Sequence, residues 1–164
     1  MNNTADYVYR ISEGNEGVRE TLYLMQKLVR EARRDPDFVA FARRLTANVP
    51  EKDWRRRILT VFHFVRDRVR YTLDPNGVEY IASPQRMITI LEGDCDDKAA
   101  FLAALLEAIG IPTRFVAVGF DGAELSHVFV EAKFDSRWIA LDATEPVRAG
   151  WRPEAVKNSY TVHN

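Results

Sequence analysis

The sequence predicts an α+β protein, with amphipathic helices through its first two thirds followed by an antiparallel sheet. Three observations carry this. Apolar residues recur at three- and four-residue steps between Gly14 and Val69. Gly110 and Pro112 stop a strongly apolar helical stretch. Beyond that stop the apolar period shortens to that of strands.

The elements follow in order. From Gly14, the residues Val18, Leu22, Met25, Leu28, Val29 and Ala32 form one helical stripe. Asp35-Pro36 breaks it, because proline ends one helix and opens the next at its first turn. Phe38, Phe41, Ala42 and Leu45 continue as a short amphipathic helix that Pro50 closes. Trp54 to Val69 is a third helix, with Trp54, Ile58, Val61, Phe62, Val65 and Val69 along one face. Asp74-Pro75-Asn76-Gly77 is a turn signal, and Ser83-Pro84 opens a short helix over Gln85 to Leu91. Cys95 to Ile109 is the clearest helix. It is apolar nearly all round, so it should be enclosed on most sides. Strands are expected over Arg114 to Phe120, Leu125 to Phe134 and Arg137 to Ala143, the last two joined by Asp135-Ser136. The tail from Thr144 has no assignable pattern.

Bulk properties exclude several classes. The net charge is −1, so no global basic field points to nucleic acid. A single cysteine excludes an internal disulfide. The first residues lack a basic segment followed by an apolar one, so no signal peptide is expected. The longest strongly apolar helical stretch, Ala99 to Leu106, is too short to span a bilayer. The expectation is a soluble, cytoplasmic protein with neither membrane nor nucleic acid as partner. Its oligomeric state stays open.

The chemistry centres on Cys95, in Gly93-Asp94-Cys95-Asp96-Asp97-Lys98 at a helix start. The positive end of the helix dipole favours thiolate there, so a lowered thiol pKa is expected. With Asp135-Ser136 as a two-residue loop, Phe134 pairs with Arg137, and His127 and Asp142 become diagonal neighbours on one face of the sheet. Cysteine, histidine and carboxylate are the set that thiol-based acyl transfer needs: nucleophile, proton carrier and orienting group. The Cys95 backbone N–H suits an oxyanion. Gln85, Tyr71 and Tyr80 are weaker oxyanion or cleft candidates, better read as an exposed helical residue and as packing. His63 and His163 have no nameable partner. Arg55-Arg56-Arg57 and Arg66-Asp67-Arg68 read as solvated helix faces. One cysteine and scattered histidines do not make a zinc site, and nothing in the sequence demands a cofactor or a metal.

The run from Gly93 through Leu106, followed by Gly110-Ile111-Pro112-Thr113-Arg114, resembles the core of the transglutaminase-like superfamily. Ser126-His127-Val128-Phe129-Val130-Glu131 and Trp138-Ile139-Ala140-Leu141-Asp142-Ala143-Thr144 resemble its histidine and aspartate motifs in the same order. Val69-Arg70-Tyr71 and Ser83-Pro84 resemble the segment that precedes the nucleophile. The resemblance implies a papain-like fold and a catalytic triad of Cys95, His127 and Asp142. It implies one domain over residues 1–164, with a helical part over 1–68, a catalytic core over 69–144 and a tail over 145–164. The implied function is a cysteine-nucleophile amide hydrolase or acyl transferase acting on a peptide or protein substrate, with peptidase-type hydrolysis favoured. The alternative is a non-enzymatic binding or assembly module on the same fold. Some related periplasmic peptidases bind calcium through aspartates beside the nucleophile. Asp94, Asp96 and Asp97 stand in that place, where they read first as helix caps.

Overall fold

A computed structural model of the chain describes residues 7–9, 12–74, 79–122 and 124–164. A short strand, β1 (Tyr7–Tyr9), precedes three helices: α1 (Gly14–Ala32), α2 (Pro36–Leu45) and α3 (Trp54–Arg68). Asp35 separates the first two, its side chain accepting from the amides of Asp37 and Phe38 while Pro36 sits in the first turn. Two short strands, β2 (Arg70–Tyr71) and β3 (Glu79–Ile81), lead to α4 (Pro84–Ile90), which Ser83 caps by accepting from the Arg86 amide. The Asp74-Pro75-Asn76-Gly77 turn lies outside the described residues from position 75 on. Then β4 (Glu92–Gly93) runs parallel to β2 and passes directly into α5 (Cys95–Ala108).

Gly110 ends this helix region at φ 86°, a backbone conformation that glycine adopts without a Cβ penalty. The sheet follows as β5 (Thr113–Gly119), β6 (His127–Phe134), β7 (Arg137–Leu141) and β8 (Asn158–His163). Its order is β7-β6-β5-β8, every neighbouring pair antiparallel. The β6–β7 register is the expected one: Phe134 faces Arg137, and the ladder runs to Val130 opposite Leu141. Asp135 takes φ 53° at the tip, which a short polar side chain tolerates.

Five strands were not legible in advance: β1, β2, β3, β4 and β8. The tail forms β8 on the free edge of β5, and β1 pairs with β3 across some seventy residues of chain. Strand β8 is mostly exposed, so burial puts little apolar alternation into it. β1 and β3 span three residues each, too few to display a period.

The main core lies between the helices and one face of the sheet, with α5 at its centre. Every residue of α5 from Asp96 to Leu106 is buried, as an all-round apolar helix requires. Phe101 stands edge-on to both Phe38 of α2 and Phe64 of α3, with centroids 6.3 Å away in each case. The other sheet face carries a smaller cluster of Val116, Val118, Phe129 and Ala140. Among the described residues, no helix is long and apolar enough to cross a membrane.

Candidate active site

The Cys95 position is built by the turn before it. A Cβ on Gly93 would lie 2.5 Å from the Asp97 side chain, so glycine allows that carboxylate to fold back over the chain. Asp97 then accepts from the amides of Ala82 at 2.7 Å and Asp94 at 3.4 Å. Asp94 caps the helix reciprocally, accepting from the Asp96 amide at 3.2 Å. The loop, α4 and the nucleophile helix are thereby tied into one unit ahead of Cys95.

Carboxylate oxygens of Asp94, Asp96 and Asp97 lie within 4.8 Å of one another. They are hard donors of the kind a divalent cation takes. Each residue nevertheless already accepts at least one backbone N–H, and Asp97 accepts two. These are the bonds of a helix cap, which Asp94 and Asp97 exchange across the first turn of α5. Burial and the neighbouring Asp94 push the Asp97 carboxyl up to about 7, despite the amides that favour its anion.

Cys95 is the first residue of α5 and is only partly accessible. Burial, then the charges of Asp96 and Asp94, push its thiol well above the ordinary range. The backbone amides of Val128 and Asp96 act the other way without overcoming them. The expectation of a lowered thiol pKa therefore fails in direction. The dipole of a helix end is worth on the order of 1 kcal/mol, and desolvation beside two carboxylates outweighs it. Alkylation of Cys95 by iodoacetamide should accordingly rise through the alkaline range, with a midpoint above the free-cysteine value of about 8.5. Mass-spectrometric labelling rates against pH check this. A midpoint at or below that value would show that burial does not dominate.

The hairpin brings the other two residues together. His127 Nε2 lies 2.7 Å from Asp142 Oδ2. The Asp142 side chain is almost wholly buried, and its other oxygen accepts from the Thr144 hydroxyl at 2.6 Å and the Thr144 amide at 3.0 Å. Burial alone would raise this carboxyl. The hydrogen bond and charge of His127, with both Thr144 donors, more than offset that and hold it below the usual carboxylate range. A carboxylate can only accept, so Nε2 carries a proton and donates it to Asp142, which in the neutral ring leaves the lone pair on Nδ1. The imidazole also stacks on Phe129, with centroids 6.4 Å apart and planes 27° apart.

Cys95 and His127 line one cavity of about 170 Å³, together with Asp96, Ser126 and Val128. The amide of Val128, next in chain to His127, acts on the Cys95 sulfur, so the start of β6 meets the start of α5 there. Tyr71 is about half exposed rather than packed. Burial raises its hydroxyl pKa first, and Cys95, Asp94 and Asp96 raise it further; its pairing with Gly93 sets it near the start of α5.

The remaining candidates fall elsewhere. Gln85 reaches away from Cys95, its amide donating to Asp35 Oδ2 at 3.3 Å and tying α4 to the α2 cap. Tyr80 packs beneath the Arg86 guanidinium. His163 meets the Trp138 ring edge-on, and His63 sits against Phe62. Arg57 lies over the Trp54 ring and Arg66 donates to the Val147 carbonyl, so these arginines do more than face solvent.

Two supporting residues escaped the sequence reading. Thr144 fixes Asp142 through a turn of the Asp-x-Thr kind, a signal that was available in the sequence. Lys98 is buried, donating to the Val69 carbonyl at 2.6 Å at the end of α3. Nothing local marks a lysine for burial.

Several solved structures share this architecture. A candidate protease from Parabacteroides distasonis superposes with a TM-score of 0.63 at 17% identity, over 76% of this chain and 26% of that one. A candidate cysteine protease from Cytophaga hutchinsonii gives 0.55 at 20% identity, over 78% of this chain and 46% of that one. Calcium-bound LapG from Legionella pneumophila gives 0.52 at 24% identity, over 76% and 73% respectively. At these identities the likeness is one of fold, and the chain spans less than half of the first two proteins. No curated protein matches the chain in sequence. The model of the transglutaminase-like superfamily core matches residues 39–143, well over half of the chain, from α2 to just past Asp142. The chain belongs to the transglutaminase-like superfamily.

Proposed function

We propose that this protein is a cysteine-nucleophile amide hydrolase or acyl transferase acting on peptide or protein substrates through Cys95, His127 and Asp142, with peptidase-type hydrolysis as its reaction. The observation that carries the reading is the His127–Asp142 contact of 2.7 Å, with His127 lining a cavity that Cys95 also lines. The candidate proteases among the structural neighbours support it.

The raised thiol shapes the mechanism. Cys95 rests as a neutral thiol, so His127 acts as general base during attack rather than as half of a standing ion pair. As sulfur bonds to the substrate carbonyl carbon, the thiol proton passes to His127 Nδ1. The amide C–N bond then breaks, and the same proton goes to the leaving nitrogen. Water attacks the thioester, gives its proton to Nδ1 and releases the acid, and the proton returns to sulfur. Asp142 accepts the Nε2 proton's hydrogen bond throughout and stabilises the transient imidazolium. The Cys95 amide and the Tyr71 hydroxyl serve the oxyanion. Tyr71→Phe should then lower kcat on the order of 10- to 100-fold with little change in KM, since the hydroxyl acts on charge that develops after binding. An equal loss in KM alone would make Tyr71 a binding residue instead.

The same raised thiol favours a second reading, a non-enzymatic module that keeps the fold and an ordinary buried cysteine. Incubation with a peptide library, followed by mass spectrometry of the intact chain, separates the two. A thioester adduct on Cys95 that is absent from Cys95→Ala supports the enzyme. A chain that acquires no adduct and cleaves nothing supports the module.

A further inference from the structure

The family match begins at residue 39, so α1 lies wholly outside it. Yet α1 supplies one side of the cavity beside the thiol. Val18 and Thr21, neighbours one turn apart on that helix, face Cys95 and His127 across it, and Leu125 and Val128 complete the apolar part of the lining. The wall is fixed in place. Thr21 is buried, Val18 is packed against the main core, and Asn15 Oδ1 accepts from the Leu125 amide at 2.8 Å, joining α1 to the segment that leads into His127.

We propose that Val18 and Thr21 determine specificity by setting the size of the one substrate side chain that enters beside Cys95. This rests on the reading of Cys95 as the nucleophile. The cavity measures about 170 Å³. A protein cavity of roughly 150 Å³ holds one benzene molecule, so a side chain of about one aromatic ring fills this space, and a larger one meets Val18 and Thr21. That entrant is uncharged or cationic, because Asp96 lines the same space and Asp94 adjoins it. A core-side wall of β-branched residues is stiff at χ1 and resists opening. Removing two methyl groups from it should therefore shift the size limit directly.

The test uses the full chain and three haloacetamides of increasing bulk: iodoacetamide, its N-benzyl derivative and its N-naphthylmethyl derivative. Cys95 labelling rates are measured at alkaline pH and divided by the rates with free cysteine. Wild type should accept the first two at similar relative rates and react with the third at least tenfold more slowly. Val18→Ala should recover most of that loss for the naphthyl reagent. Thr21→Leu should slow the benzyl reagent several-fold and leave iodoacetamide nearly unchanged. Identical size profiles in wild type, Val18→Ala and Thr21→Leu would overturn the proposal, as would a native Cys95 that none of the reagents labels. Circular dichroism confirms folding of each variant. Asp142→Asn, which leaves the cavity lining untouched, distinguishes the two claims. If the His127–Asp142 pair acts on the thiol, it should change all three rates by a common factor without altering the profile. A profile that persists when Asp142→Asn changes no rate would uphold the size limit and refute the triad.

Discussion

Cys95→Ala and His127→Ala should each abolish nearly all amide hydrolysis or transfer, a loss on the order of 10⁴- to 10⁶-fold in kcat, because nucleophile and base serve one step. The double variant should be little worse than either single one, since the unit is already broken. Asp142→Asn should retain a remainder measurable above the Cys95→Ala background, and the structure says why that remainder is small. Asp142 uses both oxygens: Oδ2 for His127, and Oδ1 for the hydroxyl and amide of Thr144. An asparagine has one acceptor oxygen. If it serves Thr144, its NH₂ faces Nε2 and moves the imidazole proton to Nδ1, the atom that must take the thiol proton. If it serves His127, the Thr144 donors lose a buried partner. Removing the competing hydroxyl with Thr144→Val beside Asp142→Asn should therefore recover part of the activity, because the amide oxygen is freer to turn to His127. Steady-state rates on a cleavable peptide check the series, with thermal melts to confirm folding. Full activity in Cys95→Ala would refute the mechanism outright.

The parts of this site that could be read in advance are those encoded locally. The two-residue Asp135-Ser136 loop sets the β6–β7 register, and register alone decides whether His127 and Asp142 share a face. The start of α5 is marked by Gly93, the Asp94 cap and the apolar run after them. What escaped depends on contacts between distant segments. β8 gains its place by pairing with β5 and buries little of itself, so its sequence carries no period. Gln85 looks like a solvent-facing helical residue until Asp35, fifty positions earlier, is found beside it. The thiol is the instructive failure. A helix N-terminus argues for thiolate, but packing at the start of α5 takes much of the water from around Cys95 and leaves the charges of Asp96 and Asp94 beside it. Sequence shows the dipole and the three aspartates; it does not show how much water remains.

The largest stability effect should come from Phe101→Ala, far from the chemistry. Phe101 is fully buried in the middle of α5 and stands edge-on to Phe38 and Phe64, so one ring links the helix to both α2 and α3. Truncation removes the buried ring area, the two aromatic contacts and the filling of the site, at a cost of about 3–5 kcal/mol. The neighbours cannot readily close the gap, since α5 is buried from Asp96 to Leu106 and is held on every side. A domain of this size has roughly 5–15 kcal/mol in total, so the variant loses a large share of its margin. Urea or thermal unfolding should show a strongly lowered midpoint with an unchanged denaturant slope. Leu73→Ala is the matched control. Leu73 is 72% exposed, and its truncation should change stability by less than about 0.5 kcal/mol. If the two variants unfold alike, Phe101 is not the pillar of this core. If Phe101→Ala is destabilised while Cys95 keeps its native reagent profile, the turn around Gly93 and the Asp94 cap hold the thiol in place without the packing beneath it.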